Sequence, residues 1–389
     1  LSSGVITIPS GNSITLKNAI TGSATLTLEN NASLIQTDPT AINTASIIAK
    51  RNTTPIIHDD FTYWSSPTTG TQTLRDFSPT TQDDKFFTYT NDWAYLSPSV
   101  QTFEKGIGYA IRAEYGDATP IVRPHQFSGV PNNGTINVPI AVRTSDPDMG
   151  IGEILTGNPY PSTLDADAFI DANLVGTGTI NQTISGTLYF WTHNHTLTGN
   201  DYDGNDYATY TKLGGTAAGA GPSGSGNTNP PTRYIAAGQG FFVQMTPGPA
   251  TTAPHETVTF KNSFRSKNHA NNQFYRMANN AGSDDERNRL WLDLNSTQTS
   301  TRILVGYVDG ATNAFDRMYD ASTEVKTAEQ NFYSTLNNEI FKIQGKALPF
   351  NENDVVPLGV NITATGMHNI ALANADGLFT GNQNIYLED

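Results

Sequence analysis

The 389-residue chain has no cysteine, so no disulfide braces it and no thiol chemistry is open to it. Cationic side chains are also scarce: 22 Lys+Arg stand against 36 Asp+Glu, a formal net charge of −14. Such a surface repels phosphate backbones and anionic lipid headgroups, which excludes nucleic acid as a partner and speaks against membrane association. No apolar run reaches the ~20 residues that a bilayer-spanning helix needs, so no membrane insertion is expected. Charged residues make up only 15%, too few for long salt-bridged helices. The lack of cysteine does not place the chain inside a cell, because a chain of this length can bury sufficient apolar surface unaided. Opening on Leu1 rather than Met, it reads as a processed chain from which any leader has gone.

The usual catalytic signatures are missing as well. No Gly-x-Ser-x-Gly elbow stands between a strand and a helix. Acidic pairs such as Asp59-Asp60 and Asp83-Asp84 are neighbours within turns. Glycoside hydrolysis needs two carboxyls opposed across a cleft, which adjacency does not provide. The sequence therefore assigns no catalytic residue, and the reading is a non-enzyme.

What is present is a long succession of short alternating segments separated by Asn, Gly, Asp and Pro, the pattern of an all-β protein. Residues 1–50 carry Ile6-Thr7-Ile8, Ile14-Thr15-Leu16 and Leu26-Thr27-Leu28 at roughly ten-residue spacing. They fit either the edge of a β-solenoid or a set of hairpins. Residues 51–262 read as a large β-sandwich with long loops, and 263–389 as a second, jelly-roll-like β-sandwich that is incomplete at its C-terminus. Within the first, Lys85–Leu96 predicts a hairpin about Asn91-Asp92, and Leu164–Asn173 a short helix with Asp165 and Asp167 in its first turn. The Gly/Ala/Ser/Asn/Pro stretch 214–232 reads as a flexible exposed loop.

Three sets of residues are candidate sites. Asp201, Asp203, Asn205 and Asp206 place oxygen ligands around Gly204, the chemistry of a Ca²⁺ loop, although turns use the same residues. His193 and His195 share one strand face as a candidate metal pair, with solvated histidines as the plainer reading. Trp93, Tyr95 and Trp191 offer ring faces on which sugars can stack, and core packing explains them equally well. Beside these three, a fourth set concerns assembly: Ile6 and Ile8 at one end, and Ile385, Tyr386 and Leu387 at the other, read as strands with open edges that a neighbouring copy could complete.

Several ordered segments carry a resemblance. Residues 46–66 (SIIAKRNTTPIIHDDFTYWSS), Gly157-Asn158-Pro159-Tyr160-Pro161-Ser162, Leu188–His193 and Ala236–Val243 are among them. So are Asn262-Ser263-Phe264-Arg265, Asn288–Leu292, Leu348-Pro349-Phe350 and Asp354–Gly359. Together they resemble the carboxy-terminal region of secreted surface proteins of Bacteroidota, mainly flavobacteria, exported by the type IX secretion system. The resemblance implies an extracellular or cell-surface location, an adhesin-like or structural role, and the type IX secretion machinery as a partner. It implies no catalytic residues. It also implies further β-structure and a sorting domain beyond Leu387. Two alternative roles stand beside this one: a subunit of an extracellular filament built by strand complementation between copies, and a carbohydrate-binding module for surface glycans.

Overall fold

The computed structural model describes residues 4–116, 118–139, 152–174, 184–194, 202, 206–219, 229–245, 257–266, 286–297, 299–327, 329–381 and 383–388. The chain is all-β and sandwich-like, and it resolves into two units. One comprises residues 1–193 with 233–274, the other 194–232 with 275–389.

The first unit begins with two turns of a parallel β-solenoid. Strands β1 (Val5–Ile8), β2 (Ser13–Leu16), β3 (Thr25–Leu28), β4 (Ser33–Gln36) and β5 (Ile47–Ile56) follow in order. β1 lies parallel to β3, β3 parallel to β5, and β2 parallel to β4, with Val5 opposite Thr25 and Ile14 opposite Leu34. These are solenoid coils and not hairpins, since hairpin strands would run antiparallel. The corners repeat along with the strands. Asn12 N donates to Pro9 O at 3.1 Å, and Ala32 N donates to Glu29 O at 2.8 Å. Gly11 (φ 75°) and Asn31 (φ 70°) occupy the left-handed region at matching positions of the two corners. Gly and Asn are the residues that enter that region at least cost. Asn31 also accepts from the buried Arg51 guanidinium, Nη1 to Oδ1 at 3.2 Å. Asn31→Ala is therefore expected to lower stability by about 1–2 kcal/mol in a urea titration, and Asn31→Gly by less, since glycine keeps the φ and loses only the acceptor.

The coils do not form a core of their own. Leu26, Leu28, Leu34, Ile47 and Ala49 pack into one cluster with Trp64, Phe77, Phe86, Tyr109 and Phe127. Trp64 anchors it, with Phe77 and Phe127 ring centroids 5.2 and 5.9 Å away. Against these residues lies a four-stranded antiparallel sheet. β6 spans Phe61–Trp64, β7 Thr68–Thr69, β8 Phe86–Tyr89, β9 Trp93–Tyr95 and β10 Tyr109–Arg112. The sheet order is β6-β10-β8-β9, while β7 pairs with the long β11 (Ile121–Pro131), which runs antiparallel to β5. A further group has Gly240–Met245 flanked by Glu153–Gly157 and Ile184–Trp191. The helix Ala166–Leu174 follows Asp165, whose Oδ1 accepts from the N–H groups of Asp167 and Ala168 at 3.0 and 3.3 Å. That carboxylate also takes a two-pronged contact from Arg233 at 2.8 and 2.7 Å.

In the second unit, strands run in the order Leu358–Asn361, Asn331–Leu336, Glu339–Ala347, Ser300–Val308, Arg287–Asn295, Asn369–Ala375. Ser300–Val308 and Glu339–Ala347 are parallel, and the remaining neighbours along this path are antiparallel. Alternation divides the apolar residues between two faces. Leu294, Ile303, Val305 and Phe332 cluster on one, while Trp291, Leu304, Tyr319 and Ile343 gather with Leu213 on the other.

Leu213 accounts for the grouping of residues 194–232 with this unit. It sits at the turn of the hairpin Tyr207–Thr211/Gly214–Thr216, and Arg289 Nη1 donates to its carbonyl at 2.8 Å. The reading of 214–232 as an exposed loop fails at its first residues, because Gly214–Thr216 is a buried strand. A Cβ on Gly215 would lie 2.0 Å from Pro231 O, so glycine here permits close backbone approach rather than mobility. Ile385, Tyr386 and Leu387 do not form a strand: they run as exposed irregular chain after the 3₁₀ turn Gly377–Thr380. Their alternating pattern finds no partner among the described residues. Among those residues no helix is long and apolar enough to cross a membrane.

Candidate functional site

The sheet β6-β10-β8-β9 has two unlike faces. Trp64, Ile111, Tyr109 and Phe86 point into the core cluster. The residues between them in sequence carry the opposite face: Phe61 and Tyr63 on β6, Phe87 and Tyr89 on β8, Trp93 and Tyr95 on β9. Register places Phe87 opposite Tyr95 and Tyr89 opposite Trp93. Ala110 of β10 stands between Tyr63 and Phe87, small enough to let the rings on either side close over it. The hairpin between β8 and β9 turns at Asn91 (φ 62°), where the sequence places it.

These rings meet edge to face. Tyr89 and Trp93 have centroids 5.1 Å apart at 75°, Phe87 and Tyr95 6.2 Å at 74°, and Phe61 and Phe87 6.0 Å at 63°. Phe242 packs against the cluster, 5.0 Å from Tyr89 and 5.9 Å from Trp93. Edge-to-face pairs add about 0.5–1.5 kcal/mol each beyond area burial, so the platform is rigid. Trp93 and Tyr95 remain 43% and 54% exposed on top of it. Exposed aromatics gathered on one rigid face mark a contact surface more often than chance burial does.

Polar groups border the rings. Asn91 and Glu153 exchange hydrogen bonds, N to O at 2.9 Å and Glu153 N to Asn91 Oδ1 at 3.0 Å, and the Gln244 amide donates to the Glu153 carboxylate. Asp92 lies at the turn and accepts from Trp93 N at 2.8 Å. Burial first, and then the charges of Glu153 and Asp92, push the Tyr89 hydroxyl above its ordinary pKa. It therefore stays a protonated donor among acceptors. Asn91, Asp92, Glu153 and Gln244 are all neutral or acidic, which suits an uncharged polyol ligand better than a phosphate.

Of the three residues read from sequence as stacking candidates, Trp93 and Tyr95 share this face. Trp191 is a correction: it is only 8% exposed and lies stacked on Tyr63, centroids 5.8 Å apart at 21°. It packs against Tyr63 and is buried, so it offers no exposed ring face. Phe61, Tyr63, Phe87 and Tyr89 were missed as members. The alternation in Phe61-Thr62-Tyr63-Trp64 was legible, but its pairing with the hairpin through β10 is not written locally.

The other candidate sites fare differently. Asp201, Asp203, Asn205 and His195 lie outside the described residues. Asp206 is buried, and its Oδ1 accepts from Asn194 N at 3.0 Å. His193 is buried with Nδ1 3.2 Å from Asp60 Oδ2 and Nε2 3.2 Å from Thr54 Oγ1, and burial pushes its pKa down to about 4. Among the described residues no three His, Asp or Glu side chains gather as metal ligands do.

The segments that carry the resemblance form a buried clamp. Asn158 donates to the carbonyls of Ser162, Ile235 and Ala236 at 2.8, 3.1 and 3.1 Å, and its Oδ1 accepts from Tyr160 N at 3.0 Å. Tyr160 reaches Gly134 O at 2.6 Å, and Asn132 ties Ser66 O and Pro159 O at 3.1 and 2.9 Å. Three more contacts cap the outer edge of β4. Leu34 N donates to Pro161 O at 2.6 Å, the Arg265 guanidinium donates to Leu34 O, and Asn262 Nδ2 donates to Gln36 O at 3.1 Å. Arg265 also bonds Ser162 Oγ at 3.1 Å and lies over the Tyr160 ring, 5.0 Å from its centroid. Burial pulls its pKa down to about 10, still far above neutrality, so it stays charged. Each of these polar groups satisfies backbone that the fold would otherwise leave dry.

A family model for a domain of unknown function, DUF8693, matches residues 1–389. The chain belongs to the DUF8693 family. No curated protein and no solved structure matches the chain. The DUF8693 match spans the solenoid coils, the aromatic platform and the second unit alike, so the family includes all three.

Proposed function

We propose that this DUF8693 protein is a non-catalytic, adhesin-like protein of the cell surface or extracellular space, and that the β6-β10-β8-β9 face is its contact surface for neutral glycans. The observation that carries the reading is the pair Trp93 and Tyr95, held outward on a rigid aromatic bed and bordered by Asn91, Asp92, Glu153 and Gln244. Pyranose rings present an apolar C–H face that rests on Trp or Tyr, while their hydroxyls bond to carboxylate and amide oxygens. The non-catalytic part of the reading draws on the clamp: its deeply buried polar side chains are engaged with backbone, which is structural work. Location, and export through type IX secretion, draw on the resemblance of the motif segments and on the Thr/Asn-rich, acidic composition.

The test is gel retardation in neutral soluble polysaccharides (a β-glucan, a xylan and a mannan), with pull-down on crystalline cellulose and chitin. Wild type is expected to be retarded by at least one. Trp93→Ala with Tyr95→Ala is expected to weaken that retardation about 10-fold or more, with the fold retained by circular dichroism and the melting temperature lowered only by the loss of their edge-to-face pairs. Absence of binding to every neutral polysaccharide sinks the glycan reading. Unchanged binding by the double variant moves the contact surface elsewhere.

A further inference from the structure

The two solenoid coils are finished at one edge and open at the other. In a parallel ladder, a residue's N–H and C=O point the same way and alternate along the strand. Thr25 N donates to Gly4 O, Glu29 N to Ile8 O, Ser33 N to Asn12 O and Thr37 N to Leu16 O, at 3.0–3.1 Å. The even-numbered residues of β1 and β2 therefore turn their backbone groups toward β3 and β4. Val5, Thr7, Ser13 and Thr15 turn theirs away, to an edge on which no strand lies among the described residues.

The apolar ladder stops at the same place. Its inward rungs are Ile6-Leu26-Ile47, Ile8-Leu28-Ala49 and Ile14-Leu34. Leu26, Leu28 and Leu34 are fully buried, whereas Ile6 is 38% exposed and Ile8, Ile14 and Leu16 are only half-buried. The opposite side is closed: β11 covers β5, and Pro161, Arg265 and Asn262 cap β4.

We propose that the β1/β2 edge is a docking edge for one further parallel β-solenoid coil of the same 20-residue kind, with aliphatic side chains over Ile6, Ile8, Ile14 and Leu16. The argument is continuity. The step that carries Val5 onto Thr25 and Ser13 onto Ser33, applied once more, presents a strand to Val5 and Thr7 and another to Ser13 and Thr15. Head-to-tail stacking of a second copy does not supply that coil, because among the described residues the far side of the coils is already covered by β11 and by Pro161, Arg265 and Asn262. A symmetric pairing of two copies, β1 to β1, would run antiparallel and would not continue the coil. This inference is independent of the glycan reading.

The experiment uses the full chain with residues 4–23 duplicated directly ahead of Gly4, so that a coil of the required register is supplied. The added coil is expected to raise the melting temperature by about 4 °C or more. Amide exchange at Val5, Thr7, Ser13 and Thr15 is expected to slow at least 10-fold. Thr7→Pro removes an outward donor while leaving the bonds to β3 intact, as proline is tolerated on an edge. It should abolish the gain in the duplicated chain and change the unmodified chain little. No rise and no protection in the duplicated chain overturns the proposal. So does a unmodified chain that sediments as a dimer with those four amides already protected, which would assign the edge to a second copy.

Discussion

Asn158→Ala is expected to lower the stability of the first unit by about 3–4 kcal/mol. The side chain is fully buried and serves four backbone groups: the carbonyls of Ser162, Ile235 and Ala236, and the N–H of Tyr160. Alanine leaves all four without their partner in a dry site, and each such group costs about 1 kcal/mol or more. Asn158→Asp gives the sharper test. Aspartate keeps an acceptor for Tyr160 N but turns an oxygen, charged at neutral pH, onto three carbonyls. It should be worse than alanine at pH 7 and should recover in part on acidification, as the carboxyl protonates and regains a donor. Urea denaturation of the three proteins at pH 7 and pH 4.5 measures the order. If aspartate proves no worse than alanine, the amide is not working as a donor to those carbonyls.

Acid is expected to act on the two units in opposite senses. In the first, burial holds His193 at about 4, below the ordinary 6.5. Its stabilisation is present above pH 6.5 and lost as pH falls through 4, because the unfolded chain takes up the proton first. The shift corresponds to about 3 kcal/mol. In the second unit, burial raises Asp320 to about 7 even though its two oxygens accept from Asp316 N and Gly345 N, each at 2.6 Å. A carboxyl raised in this way stabilises below pH 3.8, and the contribution is lost as pH climbs through 7, worth about 4 kcal/mol in total. His193→Gln should flatten the acid limb, and Asp320→Asn should flatten the neutral one. Denaturation midpoints of wild type and both variants from pH 4 to 8 settle it. Two difference curves of the same slope would contradict the burial of one or the other group.

The legible parts of this fold were those written within a few residues. Alternation through Lys85–Leu96 with Asn91 at the turn gave the hairpin, and Asp165 ahead of an apolar run gave the helix. The first fifty residues showed their strands but not their pairing, because solenoid coils and hairpins share the same two-residue alternation. The twenty-residue echo of Gly11 in Asn31 is the local signal that separates them. Trp191 looked like a surface ring because its cover, Tyr63, lies far away in sequence. Residues 214–232 read as a loop of the first unit because the hairpin they open, with Leu213 at its turn, meets Trp291 and Tyr319 only after folding. The motif segments stood out without declaring their task, since an asparagine that bonds a sugar and one that bonds a carbonyl are spelled alike.

The excursion of residues 194–232 bears on how the molecule is made. The polypeptide leaves the first unit at His193, deposits the hairpin bearing Leu213 with the second, and returns at Arg233. During synthesis that hairpin must wait for Trp291, Leu304 and Tyr319 to leave the ribosome, while Thr257–Phe260 and Arg265 have yet to close what came before it. Neither half can be completed by a nascent chain shorter than its last strand, and no single cut in the gene frees one from the other intact. Fragments for separate study would need the excursion excised and its ends rejoined, or a circular permutant opened within it.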